Sequence, residues 1–237
     1  VKVVNVGAGS SFKPYAYIGK NNKPAGYDVA VLKAVDKLLP NYKFKFQSIE
    51  LKNLLISLGQ GKIDIATQQF EKNPERQKKY LFSKQGFSNY DKWIVVKKGR
   101  TGINSIKDLA GKKVYVSQGS NSLALLQKYN SEHSKKVKIE YEDSSDQVTY
   151  NDVAAGRADA LIMTRKVFKQ ENKTYGNKLE VTGSKPFSKS DAYFLFQKKD
   201  KKLRDAVDKA LKKLKDNGEL NKISYKYTGY KWDYKGY

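Results

Sequence analysis

One arginine stands where its chemistry suits the capture of an anion. Arg76 lies in Asn73-Pro74-Glu75-Arg76, where proline at an early helical position opens a helix just after a loop. That loop follows a strand read at Ile63–Thr67. In an α/β sheet the loop beyond a strand's carboxyl end is the usual ligand side, and a guanidinium there can pair bidentately with a carboxylate. The competing reading is a surface ion pair with Glu71 or Glu75. The turn Gln118-Gly119-Ser120-Asn121 offers a second anion cradle, because its free N–H groups open a helix after a strand at Lys113–Ser117. Ser120 or Asn121 acting only as an N-cap is the alternative. Phe12, Tyr15 and Phe70, the last beside Gln68 and Gln69, suit an apolar wall or ordinary core packing. Glu71 and Asp191 are the carboxylates that could meet an ammonium group.

No catalytic constellation assembles around these residues. The chain has no cysteine and one histidine, His133, set in a polar run. A disulfide framework, a thiolate metal site and a cysteine nucleophile are therefore excluded, and a serine triad would depend on His133 alone. There is no Gly-x-Ser-x-Gly elbow and no Walker-type loop, and Gly7-Ala8-Gly9-Ser10-Ser11-Phe12 lacks the third glycine of a dinucleotide fingerprint. The run Glu140/Glu142/Asp143 follows a strand and is expected to face solvent. Binding without chemistry, with no cofactor and no metal, is the expectation.

The 237 residues include 39% hydrophobic side chains, enough for a core, yet carry 47 Lys+Arg against 24 Asp+Glu, a net charge of +23. Only Arg76, Arg100, Arg157, Arg165 and Arg204 are arginines, and lysine pairs are spread from Lys78-Lys79 to Lys212-Lys213. Such a charge reads as a basic surface, whereas a nucleic-acid reader concentrates arginine in a stripe. The partner classes left are a cell-wall polymer, an anionic lipid or an acidic glycan. No apolar stretch approaches the ~18 residues of a membrane span. No signal peptide opens the sequence, which therefore reads as cytosolic or as a processed mature chain.

The elements that must position the candidate residues alternate between strands and helices. Strands are expected at Val3–Gly7, Lys43–Gln47, Ile63–Thr67, Lys92–Val96, Lys113–Ser117, Val137–Tyr141, Ala158–Met163, Lys178–Val181 and Ala192–Gln197. Helical faces run through Tyr27, Val31, Val35 and Leu38, through Leu54, Leu55 and Leu58, from Asn121 to Tyr129, from Ser145 to Gly156, and along Asp200–Asp216. A pattern of helix, glycine, basic residue, apolar residue, aspartate and buried strand occurs twice, at Leu54–Ala66 and at Asn151–Ile162. It implies two lobes of similar α/β design. Gly/Ser/Pro punctuation places the crossings near Gln85–Asp91 and Gly183–Ser190, so that residues 1–88 plus 187–237 form one lobe and 89–186 the other. Two lobes joined by two strands make a hinged cleft suited to a small ligand.

On these residues the chain resembles the family-3 extracellular solute-binding proteins of polar amino-acid ABC importers, across essentially its full length. The matching segments are Phe12-Lys13-Pro14-Tyr15, Gly26-Tyr27-Asp28-Val29-Ala30, Leu58–Asp64, Pro74-Glu75-Arg76 with Phe82-Ser83, Val116–Ser120, Ala155–Ala160, Gly218-Glu219-Leu220 and Ser224–Tyr227. The stretch from Gln68 to Arg76 looks in particular like the cystine-binding branch. The lysine content is also similar to basic surface proteins of lactobacilli, some described as collagen- or mucus-binding.

The resemblance implies a two-lobed, type II periplasmic-binding-protein-like fold, each lobe a mixed sheet flanked by helices. It implies a monomer that captures an L-amino acid, cystine above all, and delivers it to an ABC permease. Arg76 takes the place of the arginine that holds the ligand α-carboxylate, with Gly119, Ser120 and Asn121 completing the clamp. Phe12 takes the place of the aromatic over the ligand, and Gln69 and Glu71 line the first lobe, where Phe70 would be part of the apolar wall. Where many relatives carry an aspartate for the α-ammonium, this chain has Thr164. The ammonium then needs another acid, Glu71 first and Asp191 second, or neutral acceptors. The competing functions are an adhesin for collagen, mucin or wall polymer, and an enzyme like the cyclohexadienyl dehydratases.

Overall fold

The computed structural model describes residues 1–142 and 145–236. In chain order its strands and helices are β1 (Lys2–Gly9), β2 (Ser11–Phe12), β3 (Ala16–Ile18), β4 (Pro24–Ala25), α1 (Tyr27–Lys37), β5 (Tyr42–Ile49), α2 (Leu51–Gly59), β6 (Ile65–Phe70), α3 (Pro74–Lys79), β7 (Tyr80–Phe82) and β8 (Ser88–Asn89). There follow β9 (Lys92–Lys97), β10 (Lys113–Val116), α4 (Asn121–Glu132), β11 (Lys138–Tyr141), α5 (Asp146–Ala154), β12 (Ala160–Thr164), α6 (Arg165–Tyr175), β13 (Leu179–Thr182), β14 (Asp191–Gln197), α7 (Lys201–Asp216) and α8 (Glu219–Thr228). Backbone packing divides them into two units, Val1–Tyr90 with Asp191–Tyr234, and Asp91–Ser190 with Lys235 and Gly236.

The first unit is built on the sheet β5-β1-β6-β14-β7, with β8 also paired to β14. Strand β1 runs parallel to β5 and β6, whereas β14 is antiparallel to β6 and β7. One face buries Leu54 and Leu58 of α2 against Ala66, Phe70 and Leu195. Helix α1 buries Val31, Leu32 and Val35, and α7 buries Leu203, Val207, Leu211 and Leu214. Each such side chain contributes about 1.5–3 kcal/mol when withdrawn from water. The rings of Phe87 and Phe194 stack at 3.9 Å, and Tyr27 stacks on Phe87. A small sheet, β2-β3-β4, completes the unit.

The second unit has the order β11-β10-β12-β9-β13. Its parallel strands β11, β10 and β12 are followed by the antiparallel β9. Strand β9 reads as an unbroken apolar run because both faces are covered. Ile94 and Val96 pack with Leu123 and Leu126 of α4, and Val95 packs with Tyr150 and Val153 of α5.

The repeated sequence pattern has a structural counterpart. Segments α2–β6 and α5–β12 each pass through a left-handed glycine, Gly61 or Gly156, into a strand parallel to the one beside it. The aspartate that follows does the same work twice. Asp64 Oδ2 accepts from Asn5 N at 2.8 Å while Asp64 N donates to Asn5 O at 2.7 Å. Asp159 Oδ2 accepts from Lys113 N at 2.7 Å while Asp159 N donates to Lys113 O at 2.8 Å. Burial would raise the Asp159 pKa, but the Lys113 N–H and Arg100, 2.6 Å away, outweigh it and hold the carboxyl below its ordinary value. Each aspartate thus pins a new strand to the backbone of its neighbour.

Candidate functional site

In the first unit the candidate residues gather at the carboxyl end of β6. Gln69 has a left-handed backbone (φ 48°), which costs an L-residue roughly 1–2 kcal/mol. The opposing force comes from α1, whose first turn carries the fully buried Asp28. Asp28 accepts from Thr67 Oγ1 at 2.7 Å, from Gln69 N at 3.0 Å and from Gln69 Nε2 at 2.8 Å. With its Nε2 so engaged, Gln69 keeps a buried Oε1 that takes no hydrogen bond, and the same is true of Gln68 Oε1. The Gln68 amide fits only because residue 9 is glycine, where a Cβ would fall 1.7 Å from that oxygen. Two consecutive buried amide oxygens are left as open acceptors.

Arg76 is held three residues into the next turn. Its backbone N–H is capped by Asn73 Oδ1 at 2.8 Å, its Nη1 donates to Glu71 O at 3.0 Å, and its guanidinium lies 5.3 Å from the centre of the Phe70 ring. Burial lowers the Arg76 pKa, with Glu71, Tyr90, Glu75 and Tyr80 opposing that shift. Among the described residues no carboxylate comes within 4.0 Å of the guanidinium. The surface ion pair with Glu71 or Glu75 is therefore not formed, and Glu75 faces Lys79 at 3.5 Å instead.

Phe70, 2% exposed, is core side chain and platform for Arg76 at once. Phe12 is half-buried with its ring 5.2 Å from that of Tyr15. Glu71 is buried, and its charge acts on Arg76. Asp191 lies against Gly86 and within the electrostatic reach of Lys215 and Tyr193.

In the second unit Gly119 is left-handed (φ 72°) and Ser120 begins α4. Ser120 Oγ accepts from Leu123 N at 3.1 Å and donates to Ser117 O at 2.8 Å, so the hydroxyl serves the turn itself. Asn121 is the first helical residue, and the next, Ser122, has a buried Oγ with no hydrogen bond. Thr164 likewise caps a helix, its Oγ1 accepting from Val167 N at 3.2 Å. Its register partner across the sheet is Lys92, and both side chains are buried.

The acidic run after β11 departs from expectation. Glu140 is exposed and Asp143 lies outside the described residues, but Glu142 is half-buried and accepts from Ser117 Oγ at 2.9 Å. Burial raises its pKa, as it does that of Asp146. Glu171, buried on α6, is pushed up to about 8 by burial and by the charges of Asp146 and Glu142. A strand-end position alone does not reveal that α5 and α6 will cover it. His133 is exposed and stacked on Tyr129. Among the described residues no group of three or more His, Cys, Asp or Glu side chains is placed to hold a metal ion.

Sequence reasoning did not single out Asp28, Gln68, Asn73 or Ser122 as functional. The available signal was Asp28 itself, an acid on the apolar face that starts with Tyr27.

The family model of the bacterial extracellular solute-binding proteins, family 3, matches residues 4–230. The chain belongs to that family. This family-3 protein is 39% identical over 229 residues to the L-cystine-binding protein TcyK of Bacillus subtilis (strain 168), covering 97% of this chain and 84% of TcyK. A solved structure described as a putative L-cystine ABC transporter from Listeria monocytogenes is 41% identical, with a TM-score of 0.86 over 98% of this chain and 99% of that one. A third relative comes from a study of glutathione import through GshT and the cystine ABC importer TcyBC of Streptococcus mutans. It is 31% identical, with a TM-score of 0.88 over 98% of this chain and 96% of that one. The family-3 protein thus has the type II periplasmic-binding-protein-like architecture, a mixed sheet flanked by helices in each unit.

Proposed function

We propose that this protein captures L-cystine outside the cell and hands it to an ABC permease. The observation that carries the reading is Arg76. It is a guanidinium withdrawn far enough from water for its pKa to fall, fixed over Phe70, and without a carboxylate partner among the described residues. Leaving such a group unpaired is costly, so the site favours a ligand that brings a carboxylate. Gln68 Oε1 and Gln69 Oε1 are neutral acceptors for an α-ammonium, and the Glu71 charge acts on Arg76 nearby. The turn at Gly119, Ser120 and Asn121 offers N–H donors suited to an anion in the second unit. The 39% identity to an L-cystine-binding protein supports cystine as the amino acid. A chain with no cysteine also suits a disulfide cargo, since it has no thiolate with which to exchange.

Thermal unfolding in the presence of L-cystine, glutathione, L-arginine and L-glutamine tests this. A ligand at about 100 times its dissociation constant adds about 2.7 kcal/mol of stability. Cystine is expected to give the largest rise in Tm, and a larger rise with glutathione would replace it as the cargo. We further propose that the lysine-rich surface retains the protein on an anionic cell surface, separately from ligand capture. Binding to collagen, mucin or wall polymer through that surface should fall steeply with salt, whereas cystine affinity should change little.

A further inference from the structure

We propose, resting on the retention by surface charge inferred above, that the first unit holds an anionic lipid in an apolar groove with a lysine rim. The groove lies between α7 and the connection from α1 to β5. Two cavities of about 460 and 540 Å³ adjoin there, with Leu39 and Ala206 in the walls of both. The connection contributes Leu38, Leu39 and Pro40, followed by Tyr42, and α7 faces it with alanine at 206 and 210. Leu38, Leu39, Tyr42 and Ala206 are only half-buried, so folding leaves an apolar strip in contact with water.

Charge borders that strip. Lys202, Ala206, Lys209 and Lys213 follow one another at helical spacing on one face of α7. Lys2 stands at the other end, where β1 pairs it with Tyr42 of β5. Among the described residues Lys2, Lys202, Lys209 and Lys213 make no ion pair. Of the two aspartates in the walls, Asp216 is taken by Lys212 at 2.8 Å, and Asp200 caps α7 by accepting from Leu203 N at 3.4 Å. A hydrophilic polyanion would answer the lysines and leave the apolar floor in water, whereas a neutral lipid would cover the floor and leave the charge unanswered. An extended acidic peptide brings backbone N–H and C=O groups that an apolar floor cannot satisfy. An acyl chain brings none, and an anionic headgroup gains from each lysine beside it. Strand β1 is parallel to β6, so a groove at the start of β1 and β5 lies at the opposite end of the sheet from Gln69 and Arg76, at and beyond the carboxyl end of β6. A lipid held in the groove leaves that end of the unit clear.

Flotation of the full chain at low ionic strength with vesicles of phosphatidylcholine, alone or mixed with phosphatidylglycerol, tests the groove. Binding is expected to the mixed vesicles only. Ala206→Gln fills the groove without changing the charge and should weaken binding about fivefold or more. Lys202→Gln/Lys209→Gln should weaken it about tenfold or more, and Lys107→Gln/Lys135→Gln, which removes equal charge from the second unit, under about twofold. Dihexanoyl-phosphatidylglycerol should compete with the vesicles, whereas glycerophosphoglycerol, the headgroup without its chains, should not. Circular dichroism checks the fold of each variant, and Leu39→Gln serves if Ala206→Gln does not fold. Vesicle binding that survives the filling of the groove overturns the proposal and leaves retention by general charge standing. Absence of binding to the mixed vesicles, equal loss in both lysine pairs, or competition by glycerophosphoglycerol as strong as by the lipid overturns it as well. So does an acidic amphipathic peptide that binds this face where vesicles do not, which would make the partner a protein.

Discussion

Replacing Asp28 with asparagine should separate what this residue does for stability from what it does for the ligand. The carboxylate accepts at 2.7, 3.0 and 2.8 Å from Thr67 Oγ1, Gln69 N and Gln69 Nε2. A hydrogen bond to a charged group is worth about 1.5–3 kcal/mol against about 0.5–1.5 for a neutral one, so neutralisation costs about 1 kcal/mol per bond. Relief from desolvating a charge offsets part of this, leaving a loss of about 2 kcal/mol. The asparagine oxygen serves the two donors on the Oδ2 side, which turns its NH₂ toward Gln69 Nε2. That donor–donor conflict is relieved when the Gln69 amide turns over. Oε1 then accepts from the asparagine, and Nε2 takes the place of the buried open oxygen. An acceptor in the candidate site has become a donor, and an ammonium is repelled. Urea unfolding should show a loss of about 2 kcal/mol, and calorimetry with cystine a loss of affinity of about tenfold or more in the folded protein. Asp28→Ala leaves three buried donors unsatisfied, so it should destabilise further without obliging Gln69 to turn. An asparagine variant that unfolds and binds cystine as the parent does would refute the reasoning.

Arg76→Ala should weaken cystine binding by about 2–5 kcal/mol in calorimetry with the fold intact, and Arg76→Lys should recover only part of it. Glu171 binds its proton more tightly when folded, up to about 8 against an ordinary 4.5. Its contribution is therefore fully present below pH 4.5 and disappears as pH rises through about 8, by up to about 1.4 kcal/mol per unit. Glu171→Gln should flatten that slope in urea titrations at pH 5 and pH 8, and a slope unchanged by the substitution would count against the assignment. Gly236 is left-handed (φ 85°), and a Cβ there would fall 2.6 Å from Arg165 Cδ and 3.1 Å from Trp93 Nε1. Gly236→Ala should cost about 1–2 kcal/mol in thermal unfolding.

The nine strands read from β-type runs all occur, because their signal is local: alternation at Lys43–Gln47, unbroken apolar runs where both faces are buried. Helix α6 is missed because its apolar residues, Val167 and Phe168, are adjacent in a run rich in lysine, and its buried face includes Lys166, Glu171 and Asn172. Helix α8 hides in a Tyr/Lys-rich stretch whose buried positions are Leu220, Ser224 and Thr228. For the site, the residues flanking Arg76 were legible from Pro74 and the strand before it. The grip of Asp28 on Gln69 spans 41 residues, and nothing local to either announces it. Thr164 and Ser120 illustrate the converse, since the commoner use of such residues as helix caps is the one the structure shows.

The strand order also dictates a sequence of assembly. The second unit is almost entirely one unbroken segment, Asp91–Ser190, and its sheet lacks nothing once that segment exists. The first sheet cannot close, because β14 (Asp191–Gln197) lies between β6 and β7 and supplies the buried Phe194, Leu195 and Phe196. A chain emerging from its amino end therefore completes the inserted unit first and the host last. Until residue 197 arrives, β6 and β7 have no strand to join them, and it is on this late-closing sheet that Arg76 and Gln69 depend for their final positions.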